Sequence, residues 1–90
     1  MSEVSNYPVQ IVRTEGRETV LRGEIFDGES FEFKVMNYLV KPDPDDPQKG
    51  WILVEISGRN HNRCSIVLPG PSLKFGDRIS VDALKLRRAV

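Results

Sequence analysis

The sequence contains one histidine, His61, and one cysteine, Cys64, three residues apart. A histidine beside a cysteine can take the proton of the thiol and create a thiolate nucleophile. Such a site also needs a third group that orients the histidine, and the neighbouring sequence identifies none. Structural zinc sites take four Cys or His ligands, and the chain has two such residues. We therefore expect no enzymatic activity, no metal site and no cofactor.

Residues 41–50 combine three prolines with the carboxylates of Asp43, Asp45 and Asp46. Alternating carboxylates can share a calcium ion, but a calcium loop also needs a glycine and a distal glutamate at fixed positions. Prolines and a lysine occupy this stretch instead. Because proline cannot donate a backbone hydrogen bond, the segment is a poor central strand. We interpret residues 41–50 as a protruding, solvated loop.

Residues 59–63 carry two guanidiniums, two amides and an imidazole, which donate readily to phosphate oxygens and base edges. The candidate phosphate or nucleic-acid contacts are Arg59, Asn60, His61 and Arg63. A small barrel that binds single-stranded nucleic acid also needs aromatic rings for base stacking, and Trp51 is the candidate ring. The alternative is a polar hairpin loop that only keeps an exposed turn in water.

Met36, Tyr38 and Val40 alternate at the end of the most regular strand pattern in the chain. If that strand continues through residue 40, the three side chains form an apolar stripe on its outer face. An exposed apolar stripe is typical of a surface that contacts another protein or a second copy of the chain. We therefore take these three residues as the candidate partner-binding site.

The elements that must position these residues are strands, because apolar residues recur at every second position. Residues 31–40 show this most clearly, with Phe31, Phe33 and Val35 on one face. The preceding strand, residues 19–26, joins it through Asp27-Gly28, a typical hairpin turn. Similar patterns predict strands at residues 9–13, 51–56, 64–68 and 79–81.

Five to six short strands separated by turn residues predict a single all-β domain over residues 1–90. Closure into a small antiparallel barrel, OB-like or SH3-like, would remove exposed sheet edges. Residues 1–8 are expected to form an N-terminal tail. After the last strand, Asp82 could cap a short C-terminal helix, or the strand could continue.

The chain has thirteen basic and thirteen acidic residues, so it lacks the overall positive charge that attracts nucleic acid at long range. A single cysteine and the absence of a long apolar run favour a cytoplasmic protein without a membrane segment. Together these features predict a non-enzymatic binding or assembly module whose partner is a protein or a second copy. The alternative is a module that binds single-stranded nucleic acid.

Overall fold

The computed structural model describes residues 3–72 and 74–88. Most of them, 76%, belong to one curled antiparallel sheet. Two single-turn 3₁₀ helices, Asn37–Leu39 and Ala83–Lys85, interrupt it. The strands are β1 (Glu3–Glu15), β2 (Glu18–Glu24), β3 (Ser30–Met36), β4 (Val40–Asp43), β5 (Asp46–Asn60), β6 (Arg63–Ser72), β7 (Gly76–Asp82) and β8 (Arg87–Arg88).

Five strands form a closed circuit of hydrogen-bonded neighbours. β1 pairs with β2 and β5, β2 pairs with β3, and β6 joins β3 to β5. The short β4 lies beside β5, β7 lies beside β6, and β8 pairs with β1 at Ser5 and Asn6. The predicted small all-β barrel is therefore confirmed.

The inward side chains of these strands form one hydrophobic core. The alternation predicted for β3 is confirmed, since Phe31, Phe33 and Val35 are buried while Glu32 and Lys34 between them are exposed. Sheet pleating causes this pattern, because successive side chains point to opposite faces. The other buried residues of the core are Tyr7, Val9, Leu21, Ile52, Val54, Ile56, Cys64, Ile66, Leu68, Ile79 and Val81.

Gly70 allows β6 to approach β3 closely. A Cβ atom at this position would lie 2.3 Å from the backbone oxygen of Lys34, which is far inside van der Waals contact. A backbone atom cannot move aside as a side chain can. The circuit therefore closes between β3 and β6 only because residue 70 has no side chain.

Residues 41–50 form a hairpin, so the predicted protruding loop is wrong. β4 ends at Asp43 and β5 begins at Asp46. The carboxylates accept hydrogen bonds from backbone N–H groups in and beside the turn. Oδ1 of Asp43 accepts one from the Asp45 N–H (2.8 Å), and Oδ1 of Asp46 accepts one from the Gln48 N–H (2.9 Å). Pro42 is tolerated because β4 pairs on one side only, where a missing donor costs little.

Both ends of the chain differ in part from expectation. β1 begins at Glu3, so residues 3–8 are paired strand and not a tail; Met1 and Ser2 lie outside the described residues. Asp82 does cap a helical turn, because its side chain accepts a hydrogen bond from the Leu84 N–H (3.0 Å). That turn is a 3₁₀ helix of three residues. Within the described ranges, no helix has the length and apolar character needed to cross a membrane.

Candidate functional site

The predicted stripe of Met36, Tyr38 and Val40 does not lie on one strand. Met36 ends β3, Tyr38 lies in the 3₁₀ turn, and Val40 begins β4 and packs against the core. Asn37 causes the break, because it binds the turn between β1 and β2. Its Oδ1 accepts a hydrogen bond from Oγ1 of Thr19 (2.6 Å), and its Nδ2 donates to the Gly16 oxygen (3.0 Å). Tyr38 is left 79% exposed, as an isolated side chain.

The predicted arginine loop is a tight hairpin with only two turn residues, His61 and Asn62. Arg59 is opposite Cys64 in the sheet, and Arg63 precedes Cys64, so the two guanidiniums start from opposite faces. Each also has a partner of its own. Arg59 forms an ion pair with Glu3, whereas Arg63 stacks over the Phe26 ring, with its Cζ 4.2 Å from the ring centroid.

The other predicted nucleic-acid contacts do not converge with these arginines. Asn60 ends β5 and His61 is exposed, with a φ of 56° in the left-handed region. Trp51 lies eight residues before Arg59 on the same strand, a separation of about 25 Å at the rise of a β-strand. The structure therefore does not assemble the predicted residues into one surface.

His61 and Cys64 lie in different environments, since the histidine is exposed to solvent and the cysteine is buried. The Cys64 side chain has no exposed surface, and its Sγ lies 3.8 Å from Nη1 of Arg59. His61 lies exposed in the turn. Among the described residues, no group of three or more His, Cys, Asp or Glu side chains is arranged to hold a metal ion.

A different surface is exposed on two neighbouring strands of the sheet, β1 and β5. The register places Pro8 opposite Trp51 and Asn6 opposite Leu53, with all four side chains on the outer face. Leu53 is 46% exposed and Val4 is 44% exposed, while Pro8 and Trp51 are partly buried. We call the outward residues Val4, Asn6, Pro8, Trp51 and Leu53 the β1–β5 face.

Charged side chains surround the β1–β5 face without pairing to each other. Lys41 is opposite Trp51, Arg87 is opposite Asn6, and Lys49 and Glu55 lie at the two ends of the outward row on β5. None of the ion pairs found within residues 3–72 and 74–88 includes any of these four. Oδ1 of Asn6 is also buried without a hydrogen-bond partner there.

A groove of about 390 Å³ adjoins this face where β1 changes neighbours from β2 to β8. Its lining includes Tyr7, whose hydroxyl donates to the backbone oxygen of Glu24 (2.9 Å) and accepts from the backbone N–H of Glu24 (2.8 Å). Gly23 leaves room for that hydroxyl, since a Cβ there would lie 2.4 Å from it. Burial raises the pKa of Tyr7 to about 12, so the phenol stays neutral at physiological pH.

The outer face of β2 and β3 pairs its charges internally. Glu15 binds both Lys34 (2.9 Å) and Arg13, and Arg22 binds Glu32 (2.9 Å). The hydrogen bonds from Lys34 and then Arg13 lower the pKa of Glu15 below its usual value. We call this surface the ion-paired face; its residues are Arg13, Glu15, Val20, Arg22, Glu32 and Lys34.

Val20 shows the effect of this pairing on an apolar side chain. It is opposite Arg13 on β1 and Lys34 on β3, so it points outward between them. It is nevertheless only 2% exposed and lies outside the main core cluster. Long cationic side chains cover apolar surface with their aliphatic stems, and Glu15 holds both stems in place here. On the ion-paired face, the paired side chains therefore shield Val20 from solvent.

A second groove, of about 280 Å³, runs beside β7. Its lining includes two aromatic rings, Phe26 and Phe75, and two cations, Arg63 and Arg78. Arg63 is already engaged by the Phe26 ring and lies 3.9 Å from Asp27. Arg78 takes part in no ion pair within the described part of the chain.

Comparison of the chain with protein-family models, with curated proteins and with solved structures finds no match. The β1–β5 face was not predicted from the sequence, although residues 51–54 contain a usable signal. An antiparallel strand with one solvent-exposed face alternates apolar and polar residues. Trp-Ile-Leu-Val has apolar residues on both faces, so one face of this strand had to leave apolar side chains outside the core.

Proposed function

We propose that this chain is a non-enzymatic binding module that takes a protein partner on the β1–β5 face. The observation that carries this proposal is the exposure of Leu53 and Val4 beside Trp51 and Pro8, on the neighbouring strands β1 and β5. Exposed apolar side chains in a contiguous group, bordered by polar ones, are typical of protein-binding surfaces. Trp51 is also of the residue type that most often dominates the binding energy of an interface.

The make-up of the β1–β5 face favours a protein over single-stranded nucleic acid as its occupant. Its border carries both signs of charge, since Glu55 stands on it together with Lys41, Lys49 and Arg87. The carboxylate would repel a phosphate backbone laid along the face. Nucleic-acid grooves also stack several bases on aromatic rings, and Trp51 is the one aromatic side chain of the β1–β5 face.

Single-stranded nucleic acid remains a second candidate, at the groove beside β7. Phe26 and Phe75 could stack bases there, and Arg78 could bind a phosphate. This candidate predicts oligonucleotide binding that weakens with salt and is lost in Arg63→Ala and Arg78→Ala together. Binding that is unaffected by both changes would contradict it.

The proposal is tested by photo-crosslinking in the cells that produce the protein. A photo-reactive amino acid replaces Leu53 in one variant and Ser65 in a control variant, since both side chains point outward from exposed strand positions. We expect a protein to be crosslinked from position 53 and not from position 65. Equal crosslinking at both positions, or a nucleic-acid adduct at position 53, would contradict the proposal.

A further inference from the structure

We infer that the occupant of the β1–β5 face is a second copy of this chain, packed face to face about a two-fold axis. This inference rests on the proposed function and deepens it by naming the partner. The observation behind it is the order of outward residues along β5: Lys49, Trp51, Leu53 and Glu55. Opposite charges stand at the two ends of this row, with two apolar side chains between them.

Such a row is complementary to itself. A two-fold axis in the interface, perpendicular to β5 and level with Ile52, would run β5 of the second copy antiparallel across the first. Lys49 of each copy would then face Glu55 of the other, and Trp51 would face Leu53. Symmetric dimers use the same patch on both subunits, so one complementary row supplies every contact twice.

The unpaired state of both charges supports this arrangement. Lys49 and Glu55 belong to none of the ion pairs formed among the described residues, whereas seven cations in that part of the chain do have carboxylate partners. They are too far apart to pair within one molecule, because six residues of strand separate them by about 20 Å. A second copy brings each charge to its complement.

Sheet packing geometry allows these contacts. Stacked sheets lie about 10 Å apart and cross at about 30°. Each charged residue lies about 10 Å along the strand from the axis, so the crossing displaces it sideways by about 5 Å from its partner. Extended lysine and glutamate side chains can span the remaining gap. The apolar pairs lie closer to the axis and are displaced less.

The size of the face predicts a weak dimer. The row is about 20 Å long, and the four neighbouring strands β4, β5, β1 and β8 span about 15 Å across. This area is below that of a typical stable interface, which buries about 800 Å² on each partner. We therefore expect a dissociation constant on the order of 10⁻⁵ M.

The test measures self-association of the full chain by sedimentation equilibrium between about 1 µM and 500 µM, a range that brackets this constant. The wild type should dimerise with rising concentration. Lys49→Glu alone and Glu55→Lys alone should each weaken the dimer by about 10- to 100-fold, because each places like charges together at both symmetric contacts. The double variant Lys49→Glu/Glu55→Lys should recover most of the wild-type association.

Arg17→Glu is the matched control. It makes the same charge reversal at an exposed cation that also lacks an ion pair in the described structure, but in the turn between β1 and β2, far along β1 from the proposed interface. It should leave the dimer unchanged, and circular dichroism should show the same fold in all variants. Leu53→Asp should abolish association, because it places a carboxylate at the apolar centre.

Three results would overturn the inference: a wild type that stays monomeric, single reversals without effect, or a double variant no better than the singles. A monomer that still crosslinks a different protein from position 53 would overturn the second copy as occupant while leaving the proposed function standing. A monomer that gains mass only with a single-stranded oligonucleotide would overturn both.

Discussion

The ion-paired face and the β1–β5 face belong to one curled sheet and share strand β1. Outward apolar side chains are nevertheless covered on the first face and exposed to solvent on the second. On the ion-paired face, Glu15 holds Arg13 and Lys34 on either side of Val20, which is almost fully buried. On the β1–β5 face, Leu53 is about half exposed, and the charges nearby form no ion pairs within the described chain.

The contrast indicates which surface of a small barrel remains available to a partner. Intramolecular ion pairs at a surface contribute little to stability, but here they fix long side chains over a valine. A partner at that face would have to break existing contacts. At the β1–β5 face, a partner would displace water from apolar side chains, which favours binding, and could offer opposite charges to groups that have no ion pair in the described chain.

A side chain at the contact between β6 and β3, beneath the ion-paired face, should cause the greatest loss of stability. Gly70→Ala should destabilise the protein by about 3 kcal/mol or more, because the new Cβ meets the backbone oxygen of Lys34 where β6 closes on β3. The control is Gly58→Ala, where no atom lies within 4 Å of the added Cβ. Chemical denaturation measures both. Equal stability of the two variants would show that β3 and β6 do not need this close approach.

The same substitution at two valines, one on each face, should have very different effects on stability. Val20→Ala should cost about 2 kcal/mol of unfolding free energy, because the buried methyl groups leave a void under the ion pairs. Val4→Ala, on the β1–β5 face, should cost less than about 0.5 kcal/mol, since Val4 is 44% exposed. Denaturant unfolding of the monomer at low concentration measures both. Similar costs would mean that the ion-paired face does not shield its valine.

The smallest effect concerns the charge that holds the ion-paired face together. Glu15→Gln should lower the melting temperature slightly at neutral pH. Because the pKa of Glu15 is lower in the folded than in the unfolded chain, its contribution is complete above the ordinary glutamate pKa of about 4.3 and is lost as pH falls through the folded value. The melting temperatures of wild type and variant should therefore converge in acid.

Thermal unfolding between neutral and acidic pH, followed by circular dichroism, measures this convergence. High salt should also reduce the difference, because the ion pairs are exposed. Glu55→Gln is the control at neutral pH, since it removes a carboxylate that has no ion pair in the described chain. A difference between wild type and Glu15→Gln that does not change with pH would contradict the electrostatic explanation.

The barrel could be predicted because its evidence is local. Phe31, Phe33 and Val35 alternate with charged residues, and Asp27-Gly28 supplies a residue with positive φ, at Gly28, for the hairpin turn. Each of these signals lies within a few residues. Strand pairing then follows from the need to bury the apolar face.

The features that could not be predicted depend on distant parts of the chain. Pro42 is compatible with a strand only because β4 lies at a sheet edge, and edge position is a property of the whole topology. Asn37 ends β3 because the turn at Gly16 lies beside it, which the local sequence does not reveal. The β1–β5 face needs the register of Pro8 with Trp51, across more than forty residues of sequence.

The change of neighbours along β1 also has a consequence for folding kinetics. β1 and β2 form a local hairpin, and hairpins of this kind form in microseconds. On the same edge, Ser5 and Asn6 pair with β8, and Oγ of Ser5 donates to the Arg87 backbone oxygen across 82 residues of sequence (2.7 Å). Contacts so distant in sequence form slowly. Until β8 docks, residues 3–9 of β1 have no strand neighbour on this edge within the described chain, so this edge is where strand exchange between molecules should begin.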